Sequence, residues 1–379
     1  MGFKQLSALV PKPGGETSWP ELMEVIPAIK LLAGTPQEPE YHGEGNVLIH
    51  TKMVVEAMIC SSPYIAATDE QRFVLFYACV LHDISKPSTT VIDPVTGRIG
   101  QPGHSARGAV DARLILWRAG VPFETRETIC RIIRVHQLPF FALRGNRAGQ
   151  SAEFIIHSLS WQLPIWMLCA VATADMAGRQ YAGKQSILED IEIFKLLAED
   201  EGCLATPKTF VDAHTRLAYF QGANVLPDFP LYKERTGSQV IVMCGMPACG
   251  KNTWVEKHAN NLPVVSFDDA RTELGLAHGK DEGRVAGAAL AKAKDLLRGE
   301  RAFVWNATHL STQMRKKTLD LLHAYHADVR LVYLEQTEKE IFLRNDQRDT
   351  SLTNKKITTM LYKWEVPTAI EAGTVEFFV

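Results

Sequence analysis

The sequence predicts two domains of different class: an all-α N-terminal domain, then an α/β domain built on a parallel sheet. Three observations carry this. From about Glu21 to Gln221 apolar residues recur at helical spacing, and no segment alternates convincingly as a strand. From Gln239 onward short apolar runs alternate with helical stretches, the pattern of parallel strands joined by crossover helices. Between them "GANVLPDFPLYKERTGS" carries two prolines and two glycines and breaks the periodicity. The expected division is therefore a helical domain over 1–222, a linker over 223–236 and an α/β domain over 237–379. With 379 residues, 46% of them hydrophobic, the chain has material for two cores.

Within the helical half, "NVLIHTKMVVEAM" places Val47, Val54, Val55 and Met58 on one helix face. Thr68 is an N-cap for "DEQRFVLFYACVLHD", and Gly120 ends the helix of "SARGAVDARLILWRAG". "TRETICRIIRVH", "PIWMLCAVATADMAGR" and "ILEDIEIFKLLAED" continue the pattern. In the second half "QVIVMCG", "LPVVSF", "RAFVWNA" and "DVRLVYLE" read as strands. Helices over "DEGRVAGAALAKAKDLLRG", "STQMRKKTLDLLHAYH" and "TEKEIFLRNDQR" separate or follow them, the last with a capping box from Thr337 and Glu340.

Composition narrows the function classes. With 41 Lys+Arg against 43 Asp+Glu the formal net charge is −2, so no global basic field exists, and any nucleic-acid contact must be local. Seven cysteines without paired spacing argue against a disulfide framework or a zinc knuckle and fit a reducing cytoplasm. "GFKQLSALVPKPGGE" has no apolar run of signal-peptide type, and no stretch approaches ~18 uninterrupted apolar residues, so a cytoplasmic protein without membrane attachment is expected.

"VMCGMPACGKNTW" holds Gly245, Gly250 and Lys251 at GxxxxGK spacing. Glycines there let backbone N–H groups turn onto phosphate oxygens, the lysine adds a cation and the helix N-terminus its dipole. The spacing alone arises by chance in about one chain in ten of this length. Its position between an apolar strand and a helix is what gives it weight. Asn252 stands where Ser or Thr would hold Mg²⁺, with Thr253 one place late. An amide oxygen is a hard neutral ligand acceptable to Mg²⁺, so the substitution is compatible with a working site. In "SFDDAR", Asp268 and Asp269 fall at a strand's carboxyl end, where open α/β sheets place ligands, with Arg271 close behind; an N-cap role is the alternative. Arg344 and Arg348 share a helix face, either around a polyphosphate or as a solvated surface.

This half resembles the 5′-OH polynucleotide kinase domain of phage and bacterial end-repair enzymes over Gln239–Val379, through "GMPACGKNTW", "DDAR", "NATHL" and "RNDQR". The resemblance implies an NTP donor, with ATP expected, and Mg²⁺. It implies Lys251 on the β/γ phosphates, held with Gly245, Gly250, Asn252 and Thr253, and Asp268 as general base. Arg271 and Thr308 would meet the acceptor's phosphate or 5′ end, and Arg344 with Arg348 would close over the donor. Ala307 and His309 depart from the family pattern, in which a polar residue and Asn are common.

In the helical half "LHDISKP" pairs His82 with Asp83 at a helix end, and His50, His104 and His136 fall at similar places. Asp175 lies in the apolar "VATADMAGR", where an unpaired carboxylate is costly and a metal or cationic partner is expected. Imidazole and carboxylate ligands suit Mn, Co, Ni, Zn or Fe, and the absence of cysteine argues against a closed structural zinc site. The order H…HD…H…H…D between His42 and Arg179 resembles the HD phosphohydrolase superfamily, and the surroundings resemble members acting on 2′,3′-cyclic or 3′-terminal phosphates of RNA. That implies one metal on His50, His82, Asp83 and Asp175. It implies His104 and His136 on a second metal or on phosphate, and Lys86 as a phosphate contact; His42, in "YHGEGN", is a further phosphate-contact candidate, with an ordinary loop histidine as the alternative.

The two resemblances together describe an HD-superfamily 2′,3′-phosphatase fused to a P-loop polynucleotide kinase. Such a bifunctional enzyme prepares RNA or DNA ends for sealing, with a nucleic-acid ligase as an expected partner. The alternatives are a nucleotidase fused to a nucleoside or other small-molecule kinase, and a P-loop NTP-sensing switch that controls RNA binding.

Overall fold

The computed structural model describes residues 2–144, 149–232, 236–259, 261–277, 279–347 and 352–379. It divides into two compact units, Met1–Lys208 and Thr209–Val379. The first is helical and the second carries a parallel sheet, as the sequence patterns predict.

Five helices build the core of the first unit: α1 (Val47–Ile59), α2 (Asp69–Leu81), α3 (His104–Arg118), α4 (Phe123–Val135) and α5 (Ile165–Ala177). Asn46 caps α1 by accepting from Ile49 N, and Thr68 with Gln71 forms a complete capping box on α2. Gly120, with φ +71°, follows the C-cap Ala119 of α3, a left-handed turn that suits glycine. Helix α2 is buried continuously from Phe73 to Leu81, so it runs through the core centre and delivers His82 there. The one strand pairing described in this unit, Val91–Ile92 with Ile99–Gly100, is two residues long and too short to show as an alternation in sequence.

A buried ionic cluster locks α3 to α4. Glu127 accepts from Arg113 Nε (3.0 Å) and Nη2 (2.9 Å), and from Arg126 Nε (2.8 Å). Burial would raise the Glu127 pKa, but the two guanidiniums outweigh it and hold it down at about 2.

In the second unit β1 (Gln239–Cys244), β2 (Val264–Ser266), β3 (Phe303–Asn306), β4 (Asp328–Leu334) and β5 (Thr374–Phe378) form one sheet in the order β2-β3-β1-β4-β5, parallel throughout. The crossovers are α6 (Lys251–His258), α7 (Phe267–Glu273), α8 (Glu282–Arg298) and α9 (Thr312–Ala324), and α10 (Glu338–Asp346) follows β4. Strand β1 lies between β3 and β4, so the chain turns to opposite sides of it, which opens a crevice at its carboxyl end. Strand β5 and the helix Asn354–Leu361 have no counterpart in the sequence reading. "TVEFF" is an edge strand with no fully buried residue, anchored by the cross-strand pair of Arg330 with Glu376 (2.6 Å).

The division falls after Lys208, earlier than the expected 222. The helix Ala213–Phe220 belongs with the sheet because Arg216 donates to Gly373 O (2.8 Å) and Gln221 bonds His323. The segment expected as a linker is tied to that helix: Val211 N donates to Pro227 O (2.9 Å) and Leu231 N to Thr215 Oγ1 (3.0 Å).

Glu127→Ala leaves two buried guanidiniums without their carboxylate, and we expect it to destabilise the helical unit by about 3–5 kcal/mol at neutral pH in urea unfolding. Because the folded-state pKa is depressed, Glu127 contributes fully above its ordinary value of 4.5. That contribution disappears as pH falls toward about 2, so the gap between wild type and variant should close over that window.

Candidate metal centre and phosphate-binding loop

The helix ends of the first unit converge on one buried cluster. His50 lies within α1, His82 is the C-cap of α2, and Asp83 follows it. His104 opens α3, His136 caps α4 and Asp175 sits in α5. His50, His82, Asp83, His136 and Asp175 are at most 1% exposed. Among the described residues three groups of donor atoms form, from His50, His82 and Asp175, from Asp83, His104 and His136, and from His42, Glu44 and His50. His50 Nε2 is 3.1 Å from Asp175 Oδ1 and 3.3 Å from His82 Nε2, while His82 Nε2 is 3.1 Å from Asp83 Oδ2.

The far side of each ring decides what the near side can do. His82 Nδ1 is 2.7 Å from Cys79 O, His104 Nδ1 is 2.8 Å from Gln101 O, and His136 Nδ1 is 2.7 Å from Ile133 O. A carbonyl only accepts, so each Nδ1 carries its proton and each Nε2 is directed at the cluster. Backbone carbonyls behind metal-ligating histidines act in this way. His136 Nε2 has no hydrogen-bond partner, and neither Asp83 oxygen has one of good geometry. Buried and unsatisfied acceptors on imidazole and carboxylate are the donor set a divalent transition metal takes.

Electrostatics agree. Burial opposes charge on His82, yet Asp83 and Asp175 outweigh it and raise its pKa. Both carboxylates are held well below the ordinary range, burial being overcome on Asp83 by His82 and Lys86, and on Asp175 by Arg179 and His50. His136, where burial dominates, is pushed down to about 3. The cluster therefore favours positive charge between the two acids.

Basic and polar groups line the same centre. Lys86 Nζ lies 2.8 Å from Asp83 Oδ2 and donates to Gln37 Oε1 (2.6 Å). Arg179 clamps Asp175 through Nε (3.0 Å) and Nη2 (3.1 Å). His42 Nδ1 contacts Glu44 Oε1 at 2.8 Å, and burial pushes the His42 pKa down to about 4. Sequence reasoning overlooked Glu44, Gln37 and Arg179. Arg179 had a signal, since it stands four residues after Asp175, just past the C-cap Gly178 of α5. Glu44 lay in view inside "YHGEGN". Gln37 left no signal, because its place depends on a loop returning from another part of the chain.

In the second unit the loop 245–250 joins β1 to α6. Gly245 has φ +141°, and a Cβ there would meet Leu334 O at 2.3 Å. Gly250, with φ +102°, is the N-cap of α6. Lys251 Nζ curls back to donate to Gly245 O (3.0 Å) and Met246 O (2.7 Å). Asn252 Oδ1 accepts from Asn306 Nδ2 (2.9 Å) at the end of β3, so the unusual amide is oriented by a second amide that sequence reasoning passed over. Thr253 is exposed on the first turn of α6.

Strand β2 ends at Ser266, whose side chain caps α7 by accepting from Asp269 N (2.9 Å). Asp268 and Asp269 thus occupy the first helical turn rather than the strand end, and neither acid is the cap. The Asp268 side chain is 68% exposed and meets Arg271 Nη1 at 2.8 Å. Arg271 is buried and also donates to both oxygens of Glu282 (3.1 and 3.0 Å) on α8, a partner without a sequence signal. Thr308 is half-buried, and its carbonyl accepts from Gly245 N (2.9 Å). His309 bridges Met243 O (2.8 Å) and Thr318 Oγ1 (3.0 Å) in the core, which explains its departure from the family pattern as a strut. Arg344 Nη1 approaches within 3.5 Å of the Cβ position of Gly250, and Arg344 pairs with Glu340. That pairing takes the carboxylate expected to complete the capping box, so Thr337 caps α10 alone. Arg348 lies outside the described residues.

The fold and the loop define the second unit as a P-loop domain of kinase-like class, and such a domain takes a nucleotide with Mg²⁺. Residues 240–367 match a family described as "AAA domain". The chain is also similar to proteins named "Multifunctional CCA protein". That of Aromatoleum aromaticum is 32% identical over 115 residues, 30% of this chain and 25% of the relative. That of Acidovorax sp. (strain JS42) is 33% identical over 115 residues, 30% of this chain and 24% of the relative. That of Halorhodospira halophila is 31% identical over 115 residues, 30% and 25%. The chain thus spans about a quarter of the length of these curated relatives.

Gly245→Ala should abolish binding of a fluorescent ATP analogue, because the loop must move away from Leu334. Gly287→Ala on α8, where a Cβ meets nothing within 4 Å, should retain binding and change stability by no more than about 1 kcal/mol.

Proposed function

We propose that the chain heals broken nucleic-acid ends, with a metal-dependent phosphohydrolase in the helical unit and a 5′-hydroxyl kinase in the P-loop unit. One observation carries this reading: a single chain holds two separate centres whose residues suit phosphate, and their chemistry is complementary. Clearing a 2′,3′-cyclic, 2′- or 3′-phosphate and adding a 5′ phosphate gives the two ends a ligase joins. The relatives' name, with its reference to CCA, is compatible with an RNA substrate. A nucleic-acid ligase is the partner this chemistry calls for.

In the helical unit His50, His82, Asp83 and Asp175 would hold one metal, with His104 and His136 beside Asp83 for a second. Such a metal supplies Lewis acidity, neutralising phosphate and lowering the pKa of water toward ~7. Lys86 faces the same centre and would balance the charge of the phosphate, with His42 beside it. Arg179 holds the Asp175 carboxylate in place, and Gln37 holds the Lys86 ammonium.

In the P-loop unit Lys251 would exchange the carbonyls of Gly245 and Met246 for β/γ phosphate oxygens. The loop N–H groups and Asn252 with Thr253 would complete the donor site around Mg²⁺, ATP being the expected donor. Asp268 would take the proton of the 5′ hydroxyl as its oxygen bonds the γ phosphorus and the bond to the β–γ bridging oxygen breaks, releasing the nucleoside diphosphate. Arg271 and Thr308 would position the acceptor. Arg344 and Arg348 would neutralise charge on the donor phosphates.

The deciding experiment uses one RNA oligonucleotide with a 5′-OH and a 2′,3′-cyclic phosphate, ATP, Mg²⁺ and a panel of transition metals, read by mass spectrometry. Gain of a 5′ phosphate with loss of the 3′ phosphate supports the reading. An unchanged oligonucleotide, with mononucleotides or nucleosides turned over instead, replaces it with a small-molecule activity.

Lys251→Ala and Asp268→Ala should remove kinase activity and spare phosphatase activity, while His82→Ala and Asp83→Ala should do the reverse. Loss of both activities from any one of them would contradict two independent centres. After chelation, Mg²⁺ alone should restore the kinase, and the phosphatase should need Mn, Co, Ni, Zn or Fe. Full recovery of both with Mg²⁺ would refute the assignment of a transition metal.

A further inference from the structure

We propose that Glu282 is a displaceable stand-in for the acceptor's phosphate: it occupies the guanidinium of Arg271 in the empty kinase site and leaves when a phosphate-bearing acceptor binds. This rests on the kinase reading above, which gives Arg271 to the acceptor, and adds a residue that tunes acceptor specificity. Arg271 lies in α7, just past the carboxyl end of β2. Its Nη1 donates to Asp268 Oδ1 (2.8 Å), and its Nη2 to both oxygens of Glu282 (3.1 and 3.0 Å). Its Nε, buried, has no hydrogen-bond partner among the described residues.

A second arginine of the same unit shows what a closed structural site looks like. Arg315 is fully buried and uses all three of its side-chain nitrogens. Nε and Nη2 donate to the two oxygens of Glu371 (2.6 and 3.0 Å), Nη1 to the carbonyls of His309 (3.0 Å) and Glu365 (2.7 Å), and Nη2 also to Thr312 Oγ1 (3.2 Å). Arg271 is nearly as buried, yet one donor is left over and two of its partners are carboxylates on the surface. A buried donor without an acceptor is costly, and an incoming ligand oxygen would satisfy it.

The exchange has a defined moving part. The Arg271 side chain is 9% exposed and that of Glu282 is 56% exposed, so water can solvate the carboxylate as it leaves while the guanidinium stays. Asp268 is tied to Arg271 within one helix, three residues apart, whereas Glu282 reaches it from the first turn of α8. Glu282 Oε1 also accepts from Gly279 N (3.0 Å), which gives the side chain a second partner in its own turn.

Charge decides when it leaves. Asp268, Glu282 and Arg271 together carry one net negative charge. An acceptor without phosphate brings no anion, and the contact with Glu282 persists. A phosphodiester next to the 5′-hydroxyl nucleoside would place a third anion on one guanidinium, and the exposed carboxylate is the one that gives way. Glu282 thus competes with every acceptor that relies on Arg271 and with no other. Glu282→Gln keeps the length and an acceptor for Gly279 N but removes the charge that competes.

The test uses the full chain with Mg²⁺ and a non-hydrolysable ATP analogue, and reads acceptor binding by NMR titration. One acceptor is uridylyl-3′,5′-uridine, with free 5′ and 3′ hydroxyls and one internal phosphate; the other is uridine. Wild type should favour the dinucleotide, and R271Q should lose that preference. E282Q should bind the dinucleotide about 3–10-fold more tightly than wild type, and uridine equally. E273Q, which breaks the exposed pair of Glu273 with Lys292 (3.2 Å) between the same two helices, should match wild type. Thermal melts verify folding; should E282Q not fold, E282D, one methylene short, should show a smaller gain of the same sign. Dinucleotide binding that is unchanged or weaker in the folded Glu282 variant overturns the stand-in role, since a Glu282 that only positioned Arg271 would weaken it. An equal gain in E273Q, or a preference that survives in R271Q, overturns it as well, and each of these results leaves the kinase reading standing. A wild type that binds neither acceptor overturns the kinase reading and this inference with it.

Discussion

The first unit is organised around two buried carboxylates, Asp83 and Asp175. An ionised carboxylate in that position is tolerable only with close positive or donor partners. The fold supplies them from every side: Lys86 and His104 to Asp83, Arg179 and His50 to Asp175, and His82 between. Each partner arrives on a different element, so the cluster ties α1, α2, α3 and α5 to one centre. Helix α2 carries no charged residue from Phe73 to Leu81, and its one hydroxyl there, on Tyr77, donates to Leu6 O (2.8 Å), so the helix can bring His82 and Asp83 through the core.

The P-loop unit depends on a constraint of the opposite kind, one of space rather than charge. The loop passes so close to β4 that Gly245 admits no side chain, and the order β3-β1-β4 puts that passage at the crevice. The amide pair Asn252–Asn306 then joins the first turn of α6 to the end of β3. A hydroxyl with a carboxylate would bring negative charge to that place; two amides bring none. In the proposed donor site the phosphate oxygens would therefore supply the charge that attracts Mg²⁺, and the protein the orientation.

How much of this was legible in the sequence follows from how far each feature reaches. Helices α1 to α5 and strands β1 to β4 were visible because periodicity and caps such as Thr68 are local. The histidines of the buried cluster, with Asp83 and Asp175, could be named because a charged or metal-type residue stands out against an apolar helix end, whereas Glu44 beside them was passed over. The supporting residues could not. Glu282 reaches Arg271 from the next helix, Gln37 reaches Lys86 from a distant loop, and Asn306 meets Asn252 across 54 positions. Their identities are ordinary, and only the tertiary fold gives them a task. The edge strand β5 was hidden because it buries no residue fully and "TVEFF" has no strong alternation. The boundary was misplaced for a similar reason: Ala213–Phe220 is helical by pattern, and its attachment to the sheet unit is made by Arg216 and Gln221 through bonds that periodicity does not register.

A net charge of −2 sits uneasily with the proposed action on polyanions, until the partners of the basic groups are considered. Lys86 rests on Asp83 and Gln37, Arg179 on Asp175, Arg271 on Asp268 and Glu282, Arg344 on Glu340, and Lys251 on two backbone carbonyls. Among the described residues, each of these cations is already balanced within its own unit. Phosphate binding is then an exchange of acceptors rather than neutralisation of a bare basic surface. Exchange gives up affinity, because the internal contact is lost as the new one forms, but it restricts response to ligands that present phosphate at the right geometry. A long-range basic field would attract any stretch of nucleic-acid backbone. Locally balanced cations attract little at a distance and respond to the group that enters the site, which is the discrimination the proposed end-healing activity would require.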